Sequence, residues 1–338
     1  MSSVLSCRST VSSLIEIVAI ATYGLTEPLR TGLDEAMNDD QLKEKTATIA
    51  KPLQSSIITA SIVPNYDDLQ HFDLLVLSPG VPLGHRLATQ AMAFGIPVTS
   101  ELAFAAAMLP TSVELVCVTG TNGKSTTTMF LAQMLSAMGH RVWAGGNLGQ
   151  PLSKLAYETR VDGGPPPQYA AVEVSSYQLE APGHFAVSAA CILNVQPDHL
   201  DRHHTVDNYA RTKAKLVDYL KPASMGAIIS EDMVQCCGEP APLHRCARIG
   251  SLPGVLLCGT KAEIVHCNWR LARTLDLSAL QCPGKHNLYN AAVCIHFVSA
   301  RAPSCAVLPV QLWLLEQLEP WLFSGLLQWT LLCLGKLH

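Results

Sequence analysis

The sequence predicts an α/β fold: a small parallel sheet, followed by a larger, mostly parallel sheet of the phosphate-loop type. Three observations carry this. Val113 to Met138 reads as strand, tight glycine turn and helix. Apolar runs of strand length recur at Phe72–Leu77, Tyr169–Val174 and Ala189–Val195, as strands buried on both faces require. Each run ends in a cluster of Gly, Asn, Asp, Ser or His, where open parallel sheets hold their ligands.

The stretch from Val113 organises the rest. Val113, Leu115, Val116 and Val118 suit a buried parallel strand. Leu131, Met134, Leu135 and Met138 fall at helical spacing, and Gly139 is a stop signal. Between them lies Gly120-Thr121-Asn122-Gly123-Lys124-Ser125-Thr126. The two glycines let the backbone turn its N–H groups inward, and with the helix N-terminus they make a cradle for phosphate. Lys124 would reach the β- and γ-phosphates, and the Ser125 hydroxyl would face Mg²⁺. The usual loop carries a further glycine five residues before Gly123, where this chain has Val118. The bland alternative is a glycine turn with a chance lysine.

Taken in order, residues 1–60 say least. Ile15 to Ala21 reads as a strand, and Asn38 to Lys45 is polar and solvated. The serine-rich start faintly resembles a transit peptide, and an ordinary terminus reads equally well. From Phe72 the pattern is strand, Ser78-Pro79-Gly80 turn, a helix over Leu83–Phe94 and a short strand at Ile96–Thr99. Pro110-Thr111-Ser112 marks a domain boundary. Val142–Ala144 is a short strand before Gly145-Gly146-Asn147. Tyr169–Val174 carries Glu173 near its end. A buried carboxylate needs a partner: an arginine, or, in a phosphate-binding sheet, a metal or a positioned water. Ala189–Val195 runs into Gln196-Pro197-Asp198-His199-Leu200-Asp201-Arg202-His203-His204, a dense polar cluster whose spacing fits no common zinc motif. A helix over Asp207–Tyr219 carries Lys213, strands follow at Gly226–Ser230 and Gly254–Cys258, and Gly284 opens a last helix.

Composition narrows the function. The chain has 338 residues, 49% hydrophobic and 15% charged, so it packs a core. A net charge of −4 without a long basic run argues against nucleic acid as a partner. Twelve cysteines form no C-x-x-C pair; zinc ribbons and redox pairs are unsupported, and a reducing compartment fits. The uncharged run Trp321–Leu334 is shorter than the ~20 residues of a membrane-spanning helix.

Six stretches together resemble the Mur ligase family: TGTNGKST (119–126), GGN (145–147), VEVSSYQLE (172–180), ILNVQPDHLDRH (192–203), YARTKAK (209–215) and GKHNLYNAA (284–292). Within this set, SSYQLE and NVQPDHLDRH are most like the members that add D-glutamate to UDP-N-acetylmuramoyl-L-alanine. The resemblance covers about Phe72 to Ala292. It implies a Rossmann-like UDP-sugar domain over 1–110 (1–60 divergent), a central ATP-binding domain over 111–300, and a third domain. Residues 301–338, with Trp313, Trp321 and Trp329, form instead a divergent hydrophobic tail, and the third domain is expected to be absent.

By resemblance, Lys124, Glu173, His199 and Lys213 are catalytic. Gly120 through Thr126 with Asn287 and Asn290 hold ATP. Ser78, Pro79, Gly80, Asn147, Ser175 and Gln178 lie on the UDP-sugar side. Ser125, Glu173, His199 and Lys213 surround Mg²⁺, Lys213 as its carbamate. The implied chemistry is amide formation through an acyl phosphate, by a monomer with small-molecule substrates and no membrane span, in cytoplasm or plastid stroma. A folylpolyglutamate synthase-like ligase and a nucleotide-binding module without ligase activity are the alternatives; SSYQLE speaks against the first.

Overall fold

A computed structural model describes residues 17–20, 74–77, 79, 81–147, 149–160, 163–238, 246–251, 254–265, 272–278, 280 and 284–301. The expectations for Ser78 and Gly80, for residues 1–60 apart from 17–20, and for the tail from residue 302 lie outside the described residues. The described residues fall in two compact units. One runs up to Phe104 and takes in Glu180–Gly183; the other comprises Ala105–Leu179 and the residues from His184 onward.

The first unit has strands β1 (Ile17–Ile20) and β2 (Leu74–Leu77), helix α1 (Arg86–Ala93), strand β3 (Val98–Ser100) and the start of helix α2 (Glu101–Met108). Its three strands pair in parallel in the order β1-β2-β3, with Ile17 opposite Leu74 and Leu75 opposite Val98. This is the Rossmann-like arrangement. Leu87, Ala88 and Ala91 on one face of α1 bury against Leu75, Leu77 and Ile96. The His85 Nδ1 accepts from the Leu87 N–H at 3.2 Å and starts the helix.

The second unit continues with β4 (Glu114–Thr119), α3 (Lys124–Ala137), β5 (Val142–Gly146), α4 (Leu152–Arg160), β6 (Tyr169–Glu173), α5 (Ser176–Glu180), β7 (Ala189–Ile192), α6 (Leu200–His203) and α7 (Val206–Asp218). Then come β8 (Gly226–Ser230), α8 (Glu231–Cys237), β9 (Cys246–Ile249), β10 (Gly254–Cys258), β11 (Lys261–Val265), β12 (Ala272–Asp276) and α9 (Lys285–Arg301). Among the described residues nine strands form one sheet, ordered β12-β11-β10-β9-β8-β7-β4-β6-β5. From β5 to β10 the neighbours run parallel; β11 and β12 are antiparallel. The central strands β6, β7 and β8 are buried along their whole length, which explains their apolar sequences up to Glu173 and Ser230 at the ends of β6 and β8.

Chain order reverses at β4. The connection from β4 leads to one side, through β5 and β6, and the chain then returns to place β7 on β4's other flank. The carboxyl ends of β4, β6 and β7 therefore meet at a topological switch point, where ligands of open sheets bind.

Helix α3 packs on α9 and on the sheet. Phe130, Leu131 and Leu135 bury against Val116, Val118, Ala291 and Ile295. Gly139, with φ 85°, ends the turn after α3 as its sequence position predicts. Phe130 is 2% exposed. Phe130→Ala is expected to destabilise the chain by about 3–5 kcal/mol, as a lost aromatic and its residual cavity do. A urea midpoint indistinguishable from that of the parent protein would show that Phe130 is not a core anchor.

Among the described residues no helix is long and apolar enough to cross a membrane. Seven cysteines lie in this part of the chain, and all are free thiols.

Candidate active site

The site is built where β4 turns into α3. Gly120 (φ 153°) and Gly123 (φ 85°) take backbone conformations that L side chains rarely adopt. At Gly123 space adds a second demand: a Cβ would lie 2.9 Å from the Asn290 Oδ1 and 3.3 Å from the Leu193 Cδ1. The loop is thus wedged between the carboxyl end of β7 and the first turns of α9. Lys124 turns its ammonium back onto the loop, donating to the Gly120 and Thr121 carbonyls at 3.1 and 3.0 Å.

Glu173, at the end of β6, is 2% exposed. Among the described residues no ion pair joins it to an arginine. Its Oε2 accepts from the Ser125 hydroxyl at 2.7 Å, and its Oε1 accepts from the Asn147 amide at 2.9 Å. The Asn147 backbone N–H also donates to the Glu173 carbonyl at 2.9 Å. Gly146 (φ 109°) makes this approach possible, because a Cβ there would collide with that carbonyl. Both side-chain partners of the Glu173 carboxylate are neutral donors. The carboxylate suits a hard cation shared with phosphate oxygens. The donor set Ser125–Glu173 therefore fits Mg²⁺. No group of three or more His, Cys, Asp or Glu side chains converges as a metal site among the described residues, so a zinc-type cage is not part of this site.

Lys213, on α7, is 1% exposed. Its Nζ donates to the Gly120 carbonyl at 3.1 Å and contacts the Thr119 Oγ1 at 3.4 Å. The ammonium sits 4.3 Å from the centre of the Tyr209 ring. Burial, reinforced by the charge of Lys124 and opposed by Asp198, lowers its pKa from 10.5 to about 7. A surface lysine on a helix would read the same in sequence; the burial distinguishes this one.

His199 follows β7 in a left-handed conformation (φ 50°), strained for a residue with a Cβ. Its N–H donates to its neighbour Asp198 at 2.9 Å, and its ring lies 5.0 Å from the Tyr177 ring. No bond among the described residues joins it to Glu173. Asn287 and Asn290 face each other, with Asn290 Nδ2 donating to Asn287 Oδ1 at 3.3 Å. Thr126 lies in the first turn of α3 and is half-buried. Pro79 is exposed.

Ser175 and Gln178 bond to each other. The Ser175 N–H and hydroxyl donate to Gln178 Oε1 at 2.9 and 3.1 Å, and the Gln178 N–H donates to Ser175 Oγ at 3.2 Å. This is a capping box, legible in the spacing S-x-x-Q. Sequence reasoning also passed over Asn194 and Gln196, which bind the phosphate loop from across the sheet.

Fold and site define a P-loop-type α/β domain, and the first unit by itself is Rossmann-like. Residues 118–241 match the model of the Mur ligase middle domain. Three curated relatives, each named UDP-N-acetylmuramoylalanine–D-glutamate ligase, are similar to it. The protein of Pelotomaculum thermopropionicum is 34% identical over 66% of this chain and 48% of its own length. That of Paramagnetospirillum magneticum is 37% identical over 71% and 52%. That of Anaeromyxobacter dehalogenans is 44% identical over 49% and 34%. The chain spans about half the length of the curated relatives it matches.

Proposed function

We propose that the chain serves an ATP-dependent carbon–nitrogen ligase of peptidoglycan precursor synthesis, joining D-glutamate to UDP-N-acetylmuramoyl-L-alanine. The observation that carries this is the buried Glu173 carboxylate held against Ser125 of the Gly-Lys-Ser loop. The D-glutamate ligase names of the relatives support the substrate pair. The same reading assigns residues 1–110 to the UDP-sugar domain, with Ser78, Pro79, Gly80, Asn147, Ser175 and Gln178 on its substrate side. It assigns 111–300 to the ATP domain and 301–338 to the tail. It places the protein in the cytoplasm, or in a plastid stroma.

In this mechanism the loop amides and the α3 N-terminus bind the ATP phosphates. Lys124 exchanges its two carbonyl partners for phosphate oxygens. Ser125, Glu173, His199 and, as its carbamate, Lys213 would hold Mg²⁺, which when bound supplies charge neutralisation. Asn287 and Asn290 take the adenine. The substrate carboxylate attacks the γ-phosphorus as the bond to ADP breaks. The amine nitrogen then attacks the acyl carbon, phosphate leaves with the bonding pair, and the amine gives up a proton. Holding acyl phosphate and amine in near-attack geometry accounts for about 7–11 kcal/mol of such a barrier.

The test is ADP release with UDP-N-acetylmuramoyl-L-alanine, with and without D-glutamate, and mass detection of the amide. D-glutamate-dependent product is the expected result. ATP binding with no dependence on either substrate is the signature of a nucleotide-binding module, and turnover with a folate in place of the UDP sugar marks the other ligase. Lys124→Ala is expected to weaken binding of a non-hydrolysable ATP analogue by about 1.5–3 kcal/mol, the worth of charge-assisted hydrogen bonds. Equal affinity by calorimetric titration would remove Lys124 from the phosphate site.

A further inference from the structure

The phosphate loop has no regular strand partner of its own. Its middle residues, Thr121 and Asn122, are instead paired to the segment that leaves β7, more than seventy positions away in sequence. The Asn194 side chain acts there as a piece of backbone. Its Oδ1 accepts from the Asn122 N–H at 2.8 Å, and its Nδ2 donates to the Asn122 carbonyl at 2.9 Å. The Asn194 carbonyl accepts from the Thr121 N–H at 3.0 Å. Gln196 extends the seam: its N–H donates to the Thr121 Oγ1 at 3.0 Å, and its Oε1 accepts from the Asn122 amide at 3.4 Å.

We infer that Asn194 is a positioning residue that clamps the phosphate loop in its ligand-ready shape. Asparagine suits the task because one planar amide offers a donor and an acceptor side by side. Both are needed to satisfy the N–H and C=O of a single loop residue. The neighbouring contacts explain why the loop needs a clamp. Gly120 and Gly123 have positive φ and ample conformational freedom, and glycine loses more of that freedom on ordering than any other residue. Leu193 fills the space under both glycines but supplies no polar contact. The amide of Asn194 fixes the residue between them. The entropy cost of ordering the loop is then met on folding rather than on binding, which raises affinity for an anion. The importance of this for nucleotide rests on the function proposed above; the clamp itself does not.

The experiment has two arms, on the full chain. In the first, hydrogen exchange of the Asn122 amide is followed without ligand. Asn194→Ala should exchange about tenfold or more faster there, as a lost local hydrogen bond allows, while amides inside β6 and α9 stay as in the parent. Asn194→Asp keeps the acceptor for the Asn122 N–H but sets a second oxygen against the Asn122 carbonyl, and should exchange at a rate between parent and Asn194→Ala. Unchanged exchange in Asn194→Ala overturns the clamp, and so does equal acceleration in both variants. Slowed or quickened exchange throughout the domain shows a general structural role and overturns it too. In the second arm, the ATP analogue with Mg²⁺ is titrated by calorimetry. Asn194→Ala should bind about tenfold more weakly at an unchanged melting temperature, a factor worth about 1.4 kcal/mol. Equal affinity overturns the link from clamp to binding. A parent protein that binds no nucleotide sinks the proposed function instead, and leaves the exchange result to judge the clamp.

Discussion

Gly123→Ala is expected to abolish nucleotide binding, whereas Gly139→Ala leaves it intact. The two glycines make a matched pair, because both have φ 85°. An alanine at that φ costs about 1–2 kcal/mol wherever it stands. Past this shared strain the sites differ. Nothing lies within 4 Å of a Cβ at Gly139. At Gly123 the new methyl carbon meets the Asn290 Oδ1 at 2.9 Å and the Leu193 Cδ1 at 3.3 Å. Leu193 is buried and Asn290 is 5% exposed, so neither has free space to retreat into. The loop must shift, and with it the N–H groups that form the phosphate cradle. Overpacking of this kind adds about 1–3 kcal/mol. Melting temperature and analogue titration on both variants check the prediction. Equal behaviour of the pair would mean that the loop relaxes freely and that its shape does not matter for binding.

The same loop shows what the sequence made legible. A strand, Gly-x-x-Gly-Lys-Ser and a helix stopped by Gly139 each follow from local chemistry, and local chemistry is what a single chain displays. The sheet centre was legible too, because strands buried on both faces cannot hide a polar residue. Glu173 stood out for that reason. The far edge was not legible. Strands β9, β11 and β12 are short, and β11 and β12 contain Lys261, Glu263, Arg273 and Asp276. β12 is an edge strand, which tolerates such residues, and β11 beside it buries Ala262 and Ile264 but exposes Lys261, so no unbroken apolar run announces either. One signal was available: Gly259-Thr260 between two alternating runs marks the tight β10–β11 hairpin, and Gly259 has φ 66°. Helices α2, α4, α5, α6 and α8 also escaped notice; α2, Glu-Leu-Ala-Phe-Ala-Ala-Ala-Met, is too uniformly apolar to show a helical period. In the site, the roles of Asn194 and Gln196 depend on β7 lying beside β4, and spacing along the chain does not contain that adjacency.

Lys213 carries the last prediction: it weakens the fold at neutral pH and is nonetheless required for turnover. Its Nζ is surrounded by the Gly120 carbonyl, Thr119, the Tyr209 ring and the charges of Lys124 and Asp198. Burial is the largest cause of its lowered pKa, about 7, and the Lys124 charge adds to it. The sign follows directly. Below pH 7 native and unfolded chains both hold the proton, and the penalty for burying that charge is full. Between about pH 7 and the unfolded value the native amine is neutral while the unfolded chain still binds a proton. Stability therefore rises with pH across that window, by up to about 1.4 kcal/mol per pH unit. Lys213→Met removes the titrating group at similar volume. In buffer free of carbon dioxide it should be more stable than the parent at pH 6, and the advantage should shrink as pH approaches 10. Urea midpoints across pH that run parallel for the two proteins would refute this. A neutral amine at pH 7 is also a nucleophile. Its lone pair can attack carbon dioxide, lose a proton to solvent and become a carbamate, an anion suited to a magnesium site. On the proposed function, ADP release by Lys213→Ala should fall about a hundredfold or more, the scale of a lost electrostatic group in a catalytic site. Acetate should restore part of it. Full activity without acetate would reduce Lys213 to a costly buried cation with no task.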